Sequence, residues 1–373
     1  MTRLDLGAIR LAICLGPGGV GKTTISAALA LGAAVSGRSV DVMTVDPAPR
    51  LLDALGLNAR VSEPHDVDLR GVRAAARDGD EPDGGKTSAR GRLRAMRLEP
   101  RETFDAIVRR HAPSPAAAEA IIAGRIYRNL AGAFAGVADY MAMEKLFELT
   151  AEPATEFIVL DTPPASEAID FLDAPRRLLA LLDSRAVSLL APRPGRFSGG
   201  VVDMAARAVL AAFDRVTGLK LLGDVQAFVK NFEGMYEGFA ERARRAAAML
   251  RAESTAAIVV TTAETGRIAQ AADFIAALGR ADLRVHSVIV NRTMRELPDG
   301  LEIERAKMPA ALKRKLRQNL TDYAALKTRE AISFDALRAA MPSGATLLLA
   351  PELDHEPRTL SDLAQIGAQI HRA

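Results

Sequence analysis

The chain has 373 residues, 49% of them apolar and 25% charged, with a formal net charge of only +3. That is enough for one large domain or two ordinary ones, and the balance is that of a soluble globular protein, which excludes a fibre or wholesale disorder. Lys and Arg are scattered rather than clustered, so nucleic acid is not an expected partner. The single cysteine, Cys14, rules out an intrachain disulfide and a cysteine-built metal cluster, and fits a reducing, cytoplasmic setting. No apolar run approaches the roughly 20 residues of a membrane span.

The first apolar run, residues 9–16, ends in glycine and reads as a buried parallel strand rather than a signal peptide. A helix from Lys22 to about Ser36 follows, stopped by Gly37, and residues 39–46 form the next strand. Strand, helix, strand at this spacing is a right-handed parallel βαβ unit. Residues 77–91 are polar and rich in Gly and mixed charge, which predicts a mobile loop. Residues 92–99 predict a strand, and 101–149 read as helical, with Ser114 as an N-cap and Pro115 at the first helical position. Residues 156–161 are a strong strand, followed by a helix over 166–183 and a strand over 186–192. Residues 197–252 are mostly helical; strands follow at 256–263 and 285–292, a charged helix at 305–340, a strand at 345–353 and a last helix. In that helix Leu360, Leu363, Ile366 and Ile370 share one side, as in a helix docked on a sheet.

The alternation predicts an α/β fold: a mostly parallel sheet with helices on both faces. The whole chain is expected to be one such domain, with insertions at about 101–149 and 197–252 forming a helical subdomain.

The stretch GPGGVGKTT, Gly16 to Thr24, fits G-x-x-x-x-G-K-[ST]. Each residue type has a reason. Backbone N–H groups of Gly16, Gly18, Gly19, Val20 and Gly21 can turn inward around a phosphate only where no side chain obstructs them. Lys22 reaches the β- and γ-phosphates, the Thr23 hydroxyl binds Mg²⁺, and Lys22, Thr23 and Thr24 open a helix whose dipole favours an anion. The motif follows a predicted strand and opens a predicted helix, the context it requires, so the expected fold is that of a P-loop NTPase.

Two aspartates end strands where ligands of such sheets sit. Asp161 is the candidate Walker B carboxylate, holding Mg²⁺ together with Thr23, and Asp46 is the candidate group that positions or activates the attacking water. An aspartate at a strand end also serves as an ordinary cap of the next helix.

The segments GPGGVGKTT, "TVDPAPRLLDALGL" (44–57) and "VLDTPPASEAIDFLDAPRRLLALLD" (159–183) together resemble the ArsA-type anion-transporting ATPase family. That family includes arsenite-pump ATPases and ATPases that deliver tail-anchored membrane proteins. "YRNLAGAFAGVADYMAMEKLFEL" (127–149) resembles a segment of its bacterial branch. The resemblance implies ATP and Mg²⁺ as cofactors and Asp46 as the water-orienting residue of switch I. It also implies a switch II at Asp161, Thr162, Pro163 and Pro164. By the same resemblance Asn291 reads adenine, and Pro351 and Leu353 lie against the base. Asn291 has the donor and acceptor that an adenine edge needs, but is also an ordinary turn residue.

Three departures limit the transfer. Well-known members carry a lysine at the position of Pro17 that reaches a partner's phosphates. Its loss moves that job to another cation, such as Arg50 or a lysine from a non-identical subunit. One cysteine cannot build the thiolate trio of an arsenite site or a Cys-x-x-Cys zinc clasp. Met141, Met143, Met204, Met235 and Met249 are too sparse for a Met-rich groove, and methionines at helical spacing are more often core.

The expected function is Mg²⁺-dependent hydrolysis of ATP to ADP and phosphate, driving a conformational or dimer switch. The dimer is either a homodimer or a heterodimer with a related subunit. One alternative is an ATP-gated carrier of hydrophobic or tail-anchored helices. Another is a partitioning-type ATPase acting on DNA or a membrane.

Overall fold

The computed structural model describes residues 6–57, 62–72, 91–125, 127, 135–183, 235–297, 303 and 307–372. The predicted strand at 186–192, Met204 and nearly all of the 77–91 loop lie outside the described residues.

The described chain divides into two compact units. One comprises residues 1–97, 153–169 and 253–373, and the other residues 98–152 and 170–252.

The first unit is built on a nine-stranded sheet among the described residues: β1 (Leu11–Leu15), β2 (Ser39–Thr44), β3 (His65–Asp66), β4 (Arg92–Arg97), β5 (Phe157–Asp161), β6 (Thr255–Thr262), β7 (Val285–Thr293), β8 (Thr346–Pro351) and β9 (His371–Arg372). Its order is β3-β4-β2-β5-β1-β6-β7-β8-β9. The seven inner strands pair in parallel, and only the two-residue edges β3 and β9 are antiparallel. Both edges escape sequence reading because two residues carry no periodicity. β1, β5 and β6 are buried along their whole lengths, as near-continuous apolar strands covered on both faces must be. From β1 the chain first builds toward β2 and β4, and later toward β6, β7 and β8, so the order reverses at β1. In such sheets the crevice at the strand ends beside the reversal is where ligands bind.

Helix α1 (Lys22–Val35) lies in the main core with Ala27, Ala28, Ala30, Leu31 and Ala34 all buried. The last helix, α11 (Leu360–Gln369), packs on α1 and on β8. Leu363, Ile366 and Ile370 enter the core, as the sequence pattern predicts. The small residues of α1 let the helices approach closely: a methyl group added at Gly367 would lie 3.2 Å from the Ala28 carbonyl oxygen. Thr359 starts α11 with a reciprocal capping box to Asp362. Across the β2–β4 pair, Asp41 faces Arg94 in a buried two-point ion pair of 2.7 Å each, with the Thr155 hydroxyl completing the carboxylate.

The second unit is helical. The single stretch predicted over 101–149 is three helices in the described residues: α3 (Pro100–His111), α4 (Pro115–Ala123) and α5 (Ala135–Ala151). Proline 115 forces the first break, and Ser114 caps α4 by accepting from Ala117 N. The helix predicted over 166–183 is likewise divided, because Pro175 cannot continue the helix before it: α6 (Ala165–Leu172) begins in the first unit, and α7 (Ala174–Leu182) lies in the second. With α8 (Tyr236–Met249), these helices enclose a core that contains Phe104, Tyr127, Tyr140, Met141, Met235 and Phe239. Met143 is also fully buried. Inside this unit Arg242 pairs with buried Glu144, which also accepts from the Tyr140 hydroxyl.

Candidate functional site

The loop after β1 is shaped by glycines at two points where nothing else fits. At Gly16, φ is +146° and an added methyl would lie 2.1 Å from the Val260 carbonyl oxygen. At Gly21, φ is +90° and the methyl would lie 2.3 Å from Asn291 Nδ2. The backbone is therefore drawn against β6 on one side and against Asn291 on the other. Gly21 is also the N-cap of α1 and brings no capping side chain, so the N–H groups of the first turn stay available to an anion.

Lys22 is folded back over this loop. Its Nζ donates to the carbonyls of Gly16 and Pro17, each at 3.1 Å. Burial pulls its proton affinity below that of an ordinary lysine, against the opposing charges of Asp161 and Asp46. A buried ammonium that donates to two loop carbonyls, at the uncapped start of α1, is arranged to accept an anion.

Asp161 is the hub of the polar groups behind the loop. Its Oδ2 accepts from Thr23 Oγ1 at 2.9 Å and from Thr44 Oγ1 at 3.0 Å, and its Oδ1 accepts from Ser26 Oγ at 3.4 Å. The carboxylate is almost wholly buried, which raises its pKa to about 6 even though the Thr23 and Thr44 hydroxyls and the Lys22 charge lower it. Its oxygens face α1 and β2 and cap no helix. Asp46 stands just past β2, half-buried, with its N–H on Thr44 Oγ1 and its Oδ1 accepting from Ala48 N at 2.9 Å. Helix α2 (Arg50–Ala54) starts from Pro49 without a side-chain cap, so Asp46 serves a tight turn and not that helix. Its Oδ2 takes no partner among the described residues.

The oxygen set of Thr23 and Asp161 suits Mg²⁺, a hard cation that binds few protein ligands and completes its shell with water and phosphate. No group of three or more His, Cys, Asp or Glu side chains suited to a metal exists among the described residues.

The remaining residues singled out from the sequence are spread around the same loop. Asn291 lies two residues before the end of β7, at a register shift where Arg292 has φ of +56°, and its amide donates to Val20 O at 2.9 Å. One N–H of that amide is thus committed to the loop, leaving the other N–H and the carbonyl. Pro351 ends β8, whereas Leu353 is buried in the main core, so its side chain is taken up by packing. Arg50 is exposed at the start of α2. Cys14 lies buried in β1, where burial pushes its thiol up to about 12 and keeps it protonated. Thr162 holds the chain after β5 by donating to Cys14 O at 2.7 Å, and Ala165 N at the head of α6 donates to Gly16 O at 2.9 Å.

Sequence reading passed over Ser26 and Thr44. Ser26 is three residues beyond Thr23 on the same helical face, a spacing visible in the sequence. Thr44 is placed only by strand pairing, which sets it opposite Asp161.

A family model described as "Anion-transporting ATPase" matches residues 9–328. Among curated proteins, the chain is 28% identical to "ATPase GET3" of Chaetomium globosum over 172 residues, 46% of this chain and 44% of the relative. It is 28% identical to "ATPase GET3" of Podospora anserina over 199 residues, 53% of this chain and 52% of the relative. An uncharacterized protein of Streptomyces coelicolor is 29% identical over 198 residues, 51% of this chain and 45% of the relative. The chain spans about half the length of the curated relatives it matches. With a family match over most of its length, and with the loop, lysine and strand-end aspartate assembled at the reversal point of the sheet, the chain belongs to the anion-transporting ATPase family.

Proposed function

We propose that the protein binds ATP in the Gly16–Thr24 loop and hydrolyses it to ADP and phosphate with Mg²⁺, and that the state of the nucleotide switches its conformation and its association with a second subunit. The observation that carries this reading is the contact of Thr23 with Asp161 beside a buried Lys22 that donates to the Gly16 and Pro17 carbonyls. Family membership and the name of the fungal relatives support it.

In this reading Lys22 leaves the Gly16 and Pro17 carbonyls for the β- and γ-phosphates. Thr23 and Asp161 hold Mg²⁺, which when bound neutralises charge on those phosphates. Asp46 orients water toward the terminal phosphate through its free oxygen, while the Ala48 N–H fixes the other oxygen. Catalysis is then positioning and charge stabilisation rather than covalent chemistry. Asn291, with one donor and one acceptor uncommitted, reads the adenine edge, and the backbone around Pro351 lies near the base. Because α6 is hydrogen-bonded to Gly16 at its first residue, a change in the loop bears directly on the segment after Asp161.

Asp46→Asn tests the division of roles. It keeps the size of the side chain and the acceptor of the turn but loses the charge that aligns water. The expected result is nucleotide affinity within about twofold of wild type, with turnover reduced by about 100-fold or more. Normal hydrolysis by this variant removes Asp46 from the mechanism. The switch itself is read by mass in solution: a larger species with a non-hydrolysable ATP analogue than with ADP is expected. A mass that is identical in both states overturns nucleotide-controlled association.

A further inference from the structure

Beside the phosphate loop is a second cation that none of these roles uses. Arg267 lies in the first turn of α9 (Thr265–Arg280), two residues past its first residue. A positive charge there opposes the helix dipole; the first turn holds no acidic residue, and the carboxylate of the N-cap, Glu264, accepts from Thr262 Oγ1. Arg267 is half-buried, its Nη1 donates to the neutral side chain of Gln270 at 3.1 Å, and it forms no ion pair among the described residues. Asp273, farther along the same helix, is exposed and does not pair with it. Such a site holds a charge at a cost and leaves it without an anion.

Its surroundings indicate which anion. A methyl group placed on Gly19 would lie 4.0 Å from Arg267 Nη2, so the guanidinium stands next to the loop backbone at a residue with no side chain to screen it. Arg267 lines an open groove of about 480 Å³ together with Pro17 and Gly18 of the loop and Pro164 and Ala165 at the head of α6, and Asp273 lines the same groove as its acidic member. Pro17 contributes no charge to that groove, and Lys22 is the loop's own single cation. The terminal phosphate of a nucleoside triphosphate is the group whose charge most needs a second donor, because charge accumulates on its oxygens in the transition state.

We propose that Arg267 is the second cation of the phosphate site, binding the terminal phosphate of the nucleotide held by its own chain's loop. This rests on the ATPase reading above and adds to it a residue that separates triphosphate from diphosphate. A planar guanidinium beside a phosphate makes charge-assisted, two-point contacts that a neutral side chain cannot replace.

The test compares Arg267→Ala and Arg267→Lys with wild-type protein in titrations with Mg²⁺–ADP and with a Mg²⁺-bound non-hydrolysable ATP analogue, alongside turnover of ATP. The expected result for Arg267→Ala is an analogue affinity weaker by about tenfold or more, with ADP affinity within about twofold. Arg267→Lys recovers part of the difference. The melting temperature without nucleotide is unchanged or slightly raised, since removing the charge relieves the dipole. Equal affinities to wild type for both nucleotides overturn the proposal, as does an equal loss of both, which makes Arg267 a support of the loop. Mixing Arg267→Ala with Lys22→Ala gives a further reading. Recovery of turnover on mixing places the arginine at a second copy's phosphates and overturns its role within its own chain. Wild-type protein that binds neither nucleotide overturns the ATPase reading itself, whereas wild-type binding with an indifferent Arg267→Ala overturns only the role of Arg267.

Discussion

Lys22→Ala is expected to reduce ATP turnover by about 100- to 1,000-fold, the cost of removing one preorganised donor aimed at developing charge. It should do so without unfolding the protein. The lysine is buried, and in the free protein its Nζ donates to the carbonyls of Gly16 and Pro17. Burial lowers its pKa, so the native state gives up that proton more readily than the unfolded chain does. The charged form therefore weighs against folding at neutral pH. Removing it leaves the Gly16 carbonyl still accepting from Ala165 N. The free variant should melt at the wild-type temperature or slightly above it, while the rise in melting temperature that nucleotide gives wild type should be lost. A thermal melt with and without Mg²⁺–ADP reads both. If the variant keeps its full nucleotide shift, Lys22 is not the phosphate-binding lysine. If it fails to fold, the view of Lys22 as a strained, waiting cation is wrong.

The parts of this site that the sequence announces are those whose geometry is local. The glycines, Lys22 and Thr23 fall within eight consecutive residues between a strand and a helix, so their positions relative to one another follow from the backbone alone. Asp161 is legible for a similar reason, as the last residue of a buried apolar strand. The groups that complete the hub are not local. Thr44 reaches Asp161 because β2 and β5 pair in one particular register, and a shift of one residue would turn it to the other face. Asn291 meets Val20 across 271 residues of chain, by way of a bulge in β7 that no composition signal marks. Arg267 reads in the sequence as an ordinary helical arginine, and becomes distinctive only because α9 packs where its first turn borders the loop.

The same distinction explains the rest of the fold. The inner strands are legible as apolar runs because a parallel sheet buries them on both faces. The helix start at Ser114 and Pro115 is legible as a cap followed by a first-turn proline, whereas the break at Pro175 is less so, since that proline is well accommodated in the first turn of a new helix and only the three-dimensional path shows that the old helix has ended.

Asp161→Asn separates the cost of the site from its use. An aspartate whose folded pKa of about 6 exceeds its ordinary value of 3.8 is one that the folded state prefers protonated. Between pH 4 and pH 6, roughly, the native protein binds more protons here than the unfolded chain, so this group's contribution makes stability fall as pH rises through that window. Above it the ionised carboxylate costs up to about 3 kcal/mol. Asn has no such titration, and the Thr23, Ser26 and Thr44 hydroxyls can reorient to serve its amide. Nucleotide-free Asp161→Asn should therefore be more stable than wild type at pH 7.5, by an amount that shrinks as the pH falls to 4. Its Mg²⁺-dependent turnover should nevertheless drop by about 100-fold or more, because the carboxylate proposed to hold the cation is gone. Urea melts across pH, combined with a Mg²⁺ titration of activity, test the two effects separately. A variant that gains no stability at pH 7.5 shows that the hydroxyls and Lys22 compensate the buried charge fully. A variant that is active at ordinary Mg²⁺ removes Asp161 from the metal site. Gained stability with lost activity is the signature of a charge kept buried for its ligand, and it is the outcome that the three hydroxyls converging on one unpaired carboxylate lead us to expect.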